Sequence, residues 1–263
     1  IILLGIIPAG EVSAAATATA GDASKVNGFP AITSTSAIVM DAESGQIIYE
    51  KNSHARQYPA SITKILTAYL AIKNGDLNST VTMSDAAVWN IDRNSSHIAL
   101  DVGEQISLSD ALYAVMLVSA NEAAYAIAEH ISGSLPNFVQ LMNDTASSLG
   151  CSDTHFTNAN GLHDPEHYTT AYDMALITKE ALTSNTFREY ASETYHEIPP
   201  TNMNSETRYL TQGNRMMLSD SEYYYSACKG GKTGYTDDAG GTLVVWAEKN
   251  DMQLICVTMG APD

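Results

Sequence analysis

The sequence predicts an α+β fold, with one antiparallel sheet built from both chain ends and a helical region in the middle. Two observations support this prediction. Short β-branched runs at 36–41 and 46–50 lie near the start, and similar runs at 242–248 and 253–259 lie near the end. Between them, several stretches carry apolar residues at helical spacing. The order of strands, helices and strands therefore indicates a single sheet with helices packed against it.

The first elements are delimited by turn and interruption signals. Residues 43–45 (ESG) separate the first two runs and predict an antiparallel hairpin. A helix is predicted over 59–72, and a longer apolar helical stretch over 109–131 is interrupted at 119–121. We expect Asn121 to cap the helix that follows the interruption.

The later elements have clear ends in the sequence. A helix is predicted over 134–149, where Gly150 stops it. Another begins at 170–173 (TAYD), a pattern typical of a capping box, and runs to about residue 182. Residues 250–251 (ND) join the two final strands.

Composition narrows the classes of protein. The 263 residues suffice for one large domain, and 44% of them are hydrophobic, as in ordinary globular proteins. The net charge of −17 argues against nucleic acid as a partner, because phosphate binding needs clustered cations.

The first twenty residues are typical of the end of a secretory signal. Residues 1–7 (IILLGII) are apolar, and the small residues at 13–20 offer cleavage sites up to Ala20. We expect a signal peptide remnant over 1–20, a flexible lead-in over 21–35, and export of the protein. A short buried strand or a lipid anchor is the alternative, although no cysteine lies near the cleavage region.

The three cysteines form no metal-binding or redox pattern. Cys151, Cys228 and Cys256 are widely spaced and contain no C-x-x-C pair. We interpret them mainly as buried small hydrophobic residues. One disulfide is compatible with the sequence, which does not say between which cysteines.

A serine and a lysine three residues apart form the first candidate site. In residues 61–64 (SITK), a helix would bring Ser61 Oγ and Lys64 Nζ onto one face. A buried lysine can act as the base that activates a serine nucleophile. The pattern occurs again at 226–229 (SACK), but that copy lies in a turn-like segment. Alone, either copy could equally be a surface serine and a solvated lysine.

Two further short motifs follow in order. Residues 119–121 (SAN) place polar side chains inside an apolar run. They could cap a helix, or Ser119 could relay a proton while Asn121 holds Lys64 and the substrate amide. Residues 232–234 (KTG) precede a strand-like run, and Gly234 would permit close backbone approach on a strand. A loop leading into an edge strand would explain the third motif alone, but not three motifs in this order.

The S-x-x-K, S-x-N and K-T-G set resembles the penicillin-recognising serine enzymes. Further stretches resemble one branch, the low-molecular-mass D-alanyl-D-alanine carboxypeptidases. These stretches are 41–45 (DAESG), 49–51 (YEK), 59–64 (PASITK), 119–124 (SANEAA), 142–143 (MN), 160–162 (NGL), 167–175 (HYTTAYDMA) and 231–236 (GKTGYT). The resemblance implies a β-lactamase/D,D-peptidase-like catalytic domain over 36–263. It also implies removal of the terminal D-alanine from peptidoglycan stem peptides through an acyl-enzyme, without a cofactor or metal, and acylation by β-lactam antibiotics.

The resemblance assigns roles by position. Catalysis would fall to Ser61 as nucleophile, Lys64 as base and Ser119 as proton relay. Asn121, Lys232, Thr233 and Gly234 would bind substrate, and the backbone N–H groups of Ser61 and Tyr235 would form the oxyanion hole. His167 falls where many family members have a histidine beside the site.

The chain also departs from the family pattern. Family members usually continue past the last strand with a helix, an arginine near the substrate carboxylate, a β-rich domain and an amphipathic membrane-anchoring helix. We therefore expect a catalytic domain truncated at its C-terminus, with membrane association only through a segment absent here. The expected location is the outer or periplasmic face of the cell membrane and the cell wall.

Three other classes of protein share part of this pattern. A β-lactamase would need an E-x-x-L-N loop, and none lies between Asn121 and Lys232. A penicillin-binding sensor would acylate without turnover, and measured D-alanine release would separate it from a catalyst. A zinc peptidase is suggested by residues 163–167 (HDPEH), but Pro165 prevents a regular ligand-bearing helix and H-E-x-x-H is missing.

Overall fold

A five-stranded antiparallel sheet carries the fold in a computed structural model that describes residues 31–262. The strand order is β2-β1-β9-β8-β7, so the strands nearest the two chain ends pair in the middle of the sheet. The strands are β1 Ser36–Asp41, β2 Ile47–Lys51, β3 Thr80–Thr82, β4 Gln105–Ser107, β5 Tyr195–Ile198, β6 Arg208–Thr211, β7 Cys228–Thr236, β8 Gly240–Lys249 and β9 Met252–Ala261. This arrangement confirms the predicted sheet from both chain ends.

The helices come from the middle of the chain, as predicted. A 3₁₀ helix at Ala60–Thr63 precedes α1. The α-helices are α1 Lys64–Asn74, α2 Asp85–Trp89, α3 Leu108–Leu117, α4 Asn121–Ser132, α5 Leu135–Ser148, α6 Ala171–Ala181 and α7 Asn185–Ser192. Two small two-stranded sheets, β3-β4 and β5-β6, were not predicted from the sequence.

Alternation along the strands decides which face meets the helices. Ile38 on β1, Val257 on β9 and Trp246 on β8 belong to the main core, where α6 packs against β1 and β9. The intervening Cys256 and Val245 point to the opposite face. Because strand side chains alternate with a period of two, one face packs on the helices and the other carries a smaller apolar cluster.

The cysteine prediction agrees with the structure. Cys151, Cys228 and Cys256 are buried free thiols, and burial raises the pKa of Cys256 to about 12. They therefore behave as small apolar side chains.

The predicted signal peptide remnant at 1–20 and most of the lead-in lie outside the described residues. At the end of that lead-in, the Ile32 and Ser34 carbonyls accept hydrogen bonds from Lys51 Nζ at 3.1 and 2.7 Å. The Thr35 N–H donates to the Gly260 carbonyl at 3.1 Å. Hydrogen bonds therefore hold this part of the chain to the sheet. Across residues 31–262, every helix is too short or too polar to cross a bilayer.

Candidate active site

The first motif forms at the junction between the 3₁₀ helix and α1. Ser61 lies in the 3₁₀ helix and Lys64 begins the α-helix. Their Oγ and Nζ atoms are 3.0 Å apart. The sequence predicted this contact on an α-helical face, but a 3₁₀ turn aligns residues three apart even better. The other S-x-x-K copy has Ser226 in a turn and Lys229 exposed on β7, as the sequence indicated.

Lys64 is fully buried, and its amine has three oxygen neighbours. Besides Ser61 Oγ, these are Asn121 Oδ1 at 2.7 Å and the Asn160 carbonyl at 2.5 Å. Burial, and secondarily the nearby Lys232 charge, holds the pKa of Lys64 well below its usual range, while Glu122 opposes the shift. A neutral amine has two N–H donors and one lone pair. In that form the two carbonyl oxygens would accept from both donors, which would leave the lone pair directed at the Ser61 hydroxyl.

The second motif lies in the turn between α3 and α4. Ser119 has a positive φ of 64°, and its buried Oγ has no hydrogen-bond partner within residues 31–262. The prediction that Asn121 caps α4 is wrong: Ala120 is the N-cap residue and makes no side-chain cap bond. The Asn121 amide instead bonds Lys64 and donates to Ser95 Oγ at 2.8 Å. A buried amine needs that carbonyl more than a helix end does, because water cannot replace it.

The third motif lies on β7, beside the nucleophile. Lys232 is buried, its Nζ donates to the Thr233 carbonyl at 2.8 Å, and burial lowers its pKa to about 7. A Cβ on Gly234 would lie only 2.7 Å from the Ser61 backbone nitrogen. The absence of a side chain at Gly234 therefore lets β7 approach the nucleophile, as predicted. The half-buried Thr233 lies between these two residues, and Tyr235 follows at half exposure.

His167 lies behind the 3₁₀ helix, where it packs against Thr63. The Thr157 N–H donates to Nδ1 at 3.0 Å, so Nε2 carries the proton and donates to Thr63 Oγ1 at 2.9 Å. Burial lowers the pKa of His167 to about 3, which keeps the ring neutral. His163 has a separate partner, with its Nδ1 3.5 Å from Asp238 Oδ2.

Two contributors to the site were assigned no role from the sequence. The Asn160 carbonyl accepts from Lys64, and Gly161 follows with a φ of +82°. A Cβ on Gly161 would lie 1.9 Å from the Ala60 carbonyl oxygen, so glycine is required there. The N-G-L stretch was noticed for its resemblance alone. A backbone carbonyl has no signature in a sequence, because every residue carries one.

Three distant segments thus meet in one place. The Lys232 charge acts on Lys64, and Gly234 touches the backbone of Ser61. The resulting site combines a serine hydroxyl, a buried amine with a lowered pKa, a second lysine and an amide. Such a set can perform nucleophilic acyl transfer, with the amine as general base. The fold and the site together define the class: an α+β domain with a serine–lysine pair beside the edge strand of its sheet.

The chain belongs to the D-alanyl-D-alanine carboxypeptidase family, whose model matches residues 22–263. It is 37% identical over 243 residues to D-alanyl-D-alanine carboxypeptidase DacA of Haemophilus influenzae, covering 89% of this chain and 58% of the relative. DacF of Bacillus subtilis is 35% identical over 86% of this chain and 57% of the relative. The chain therefore spans rather more than half the length of these relatives.

Solved structures agree with this assignment. The D-alanyl-D-alanine carboxypeptidase of Mycobacterium tuberculosis superposes with a TM-score of 0.80 at 28% identity, covering 89% of this chain and 85% of that one. The Streptomyces K15 DD-transpeptidase gives a TM-score of 0.81 at 27% identity, covering 89% and 92%. These likenesses confirm the predicted fold and family.

Proposed function

We propose that this chain is a serine-type D-Ala-D-Ala carboxypeptidase whose catalytic domain spans 36–263 and whose nucleophile is Ser61. The observation that carries the proposal is the Lys64 amine, 3.0 Å from Ser61 Oγ and held by two carbonyl oxygens. A serine hydroxyl attacks a carbonyl only when a base takes its proton. Lys64 is suited to that role because its lowered pKa favours the neutral amine, which can accept a proton.

Acylation follows from this arrangement. Ser61 Oγ attacks the carbonyl between the two D-alanines, and its proton passes to Lys64. We assign the oxyanion to the backbone N–H groups of Ser61 and Tyr235, because preorganised donors stabilise such a charge by about 3–4 kcal/mol each. Ser119 returns a proton to the leaving amine. Its buried hydroxyl lacks a partner within residues 31–262, which suits a group that awaits the substrate.

Substrate binding is assigned to the other side of the cleft. Lys232 and Thr233 would hold the terminal carboxylate, and Asn121 the peptide amide. A carboxylate beside Lys232 favours the charged amine and so raises a pKa that burial holds near 7. Binding and charging of Lys232 are therefore coupled, and the charged amine in turn keeps Lys64 neutral.

Water or an amine could then release the acyl-enzyme. One similar solved structure is a DD-transpeptidase, which makes transfer to an amine the second candidate. We propose hydrolysis as the main outcome, as in the carboxypeptidase relatives. Mass spectrometry of a cell-wall pentapeptide, with and without an added amino acceptor, separates the two. Loss of one D-alanine supports the carboxypeptidase, whereas mainly acceptor-linked product supports the transferase.

β-Lactams should acylate the same serine, because their strained amide and carboxylate resemble the peptide end. The test is covalent labelling by a fluorescent penicillin followed by peptide mapping. Wild type and Ser226→Ala should be labelled alike, since Ser226 belongs to the copy of the motif that lies in a turn. Ser61→Ala should remain unlabelled while folded. Labelling of Ser61→Ala at the wild-type level would refute the assignment.

We also propose that the protein acts outside the cytoplasmic membrane, on cell-wall peptidoglycan. The apolar and small residues at 1–20 are typical of a secretory signal, and the substrate class lies in the cell wall. Fractionation of cells that express the full-length protein would test this. An intact N-terminus and a cytoplasmic location would contradict it.

A further inference from the structure

The amide of Asn121 is held between two groups with opposite hydrogen-bonding needs. Its Oδ1 accepts from Lys64 Nζ at 2.7 Å. Its Nδ2 donates to Ser95 Oγ at 2.8 Å. The two ends of an amide differ only in donor and acceptor character, so its orientation depends on what each neighbour demands.

Ser95 can only accept a hydrogen bond from the Asn121 amide. Its hydroxyl donates its hydrogen to the Asp92 backbone carbonyl in a short hydrogen bond. Toward Asn121, the Ser95 oxygen can therefore only accept, so the NH₂ end of the amide must face it. The carbonyl end then faces Lys64. The resulting chain runs in one direction, from the Lys64 amine through Asn121 and Ser95 to Asp92.

The position of Ser95 is itself fixed from both sides. The Asn121 N–H donates to the Ser96 carbonyl at 2.9 Å, and the Ile98 N–H donates to the buried Glu122 carboxylate at 2.7 Å. Arg208 on β6 also donates to the Ile98 carbonyl at 2.9 Å. The segment 92–98 is thus tied to the start of α4 and to β6. Ser95 cannot drift away from the amide without breaking these bonds.

Resting on the function proposed above, we propose that Ser95 is a positioning residue that orients the Asn121 amide and thereby aims the lone pair of Lys64 at Ser61. The reversed amide would present N–H to Lys64. The amine lone pair would then accept from Asn121 instead of from the Ser61 hydroxyl, and Lys64 could not take the proton. Ser95 thus acts on the nucleophile through two other residues.

Removal of the hydroxyl should leave both amide orientations populated. In Ser95→Ala, any water that enters can donate as well as accept, so it does not select an orientation. In the orientation seen in the structure, the Asn121 NH₂ group would lack a defined acceptor. In the reversed orientation, the Asn121 carbonyl oxygen would face the substituted alanine and would lack a donor. Because a buried polar group without its partner is disfavoured by an amount worth about tenfold in a rate, we expect acylation to slow about tenfold.

The pH profile distinguishes positioning from simple damage. A reversed amide deprives the Lys64 ammonium of an acceptor, which disfavours the charged form and lowers its pKa further. The acid limb of the acylation rate should therefore move to lower pH while the plateau falls. The other charged or titratable groups around Lys64 are Lys232 on β7, Glu122 on α4 and His167, and they are unchanged in the variant.

The experiment measures the acylation rate constant of a fluorescent penicillin from pH 5 to 9 on the full chain. It compares wild type with Ser95→Ala, Ser95→Thr and Ser96→Ala. Threonine keeps the hydroxyl and should restore the rate to within about threefold. The exposed Ser96 contributes its backbone carbonyl to the bond with Asn121, so Ser96→Ala should match wild type.

The outcomes separate this proposal from the proposed function. If wild type itself is not acylated, the function fails and this inference with it. If wild type reacts and Ser95→Ala matches it, only the inference is overturned. It is equally overturned if Ser95→Ala lowers the rate equally at every pH, or if a folded Ser95→Thr fails to recover. A lower plateau with a shifted acid limb, both restored by threonine, supports it.

Discussion

Alanine at position 234 should push the nucleophile away from β7. The added Cβ would lie 2.7 Å from the Ser61 nitrogen and 2.5 Å from Thr242 Oγ1. Ordinary contact begins near 3.4 Å, so these atoms must separate by about 0.7 and 0.9 Å. Thr242 Oγ1 cannot simply rotate away, because it donates to the Pro59 carbonyl at 2.9 Å. The strain therefore reaches the 3₁₀ helix that carries Ser61.

The expected losses follow from that displacement. A misplacement of about 1 Å can slow a reaction about 10²-fold, and loss of one oxyanion donor costs about 10²–10³-fold. We expect Gly234→Ala to be acylated about 10²–10³ times more slowly than wild type. Overpacking should lower the free energy of unfolding by about 1–3 kcal/mol, which for a domain of this size lowers Tm by about 2–4 °C per kcal/mol.

Labelling with a fluorescent penicillin, quenched at timed intervals, measures the acylation rate. Thermal melting followed by circular dichroism measures Tm. Gly213→Ala is the matched control, because a Cβ there would meet its nearest neighbours, the Leu117 carbonyl and Thr233 Oγ1, at 3.6 and 3.8 Å. These are ordinary contacts, so this variant should stay close to wild type. If Gly234→Ala acylates at the wild-type rate, the close approach has no role in catalysis.

Three further outcomes are expected. The KM for a peptide with a free carboxylate should rise up to about tenfold per pH unit above about 7, because Lys232 loses its charge there. Steady-state kinetics across this pH range measure the rise in KM. A C-terminally amidated peptide should show no such rise. The free energy of unfolding should fall as pH drops from 6.5 toward about 3, by at most about 1.4 kcal/mol per pH unit. The reason is that His167 binds a proton in the unfolded chain but not in the folded one. Urea titrations at several pH values should show a shallower fall in His167→Gln. Ser119→Ala should keep or slightly raise Tm, because it removes a buried hydroxyl that has no partner within residues 31–262. The same variant should release D-alanine about 10²-fold more slowly. A lowered Tm with normal D-alanine release would contradict the proton-relay role.

Local patterns in the sequence predicted the local elements well. The hairpin of β1 and β2 and the two closing strands were found because their residues are β-branched and bounded by turn signals. The start of α6 was also correct, since Thr170 Oγ1 accepts from the Asp173 N–H at 3.0 Å. The capping-box prediction was only half right. The Asp173 carboxylate bonds the Asp153 N–H and the Thr154 hydroxyl instead.

Strand order and strand pairing are decided over long distances. Ser36 pairs with Met259, and no sequence pattern near either residue predicts that pairing. The two-stranded sheets β3-β4 and β5-β6 were not predicted because their strands have only three or four residues. Such short runs carry too few residues to show a period.

Side-chain motifs were visible in the sequence, but their backbone partners were not. Ser61, Lys64 and Lys232 were identified because their order and spacing resemble a known set. Asn160 entered the site through its carbonyl, which no pattern predicted. For Asn121 the sequence left two interpretations open, and the structure has the contact with Lys64 and not the helix cap. Sequence patterns do not show which buried polar group needs a partner, and in the structure the buried Lys64 amine takes precedence over the local capping preference of Asn121.

The central position of β1 and β9 bears on how the protein is made. The β1-β2 and β7-β8 hairpins each form from neighbouring residues, but only β9 joins them into one sheet. During synthesis, the β7-β8 hairpin that carries the K-T-G motif therefore joins β1 in one sheet only after β9 has been made. Pairing across such a sequence separation is slow. The five-stranded sheet therefore closes only after β9 has been translated.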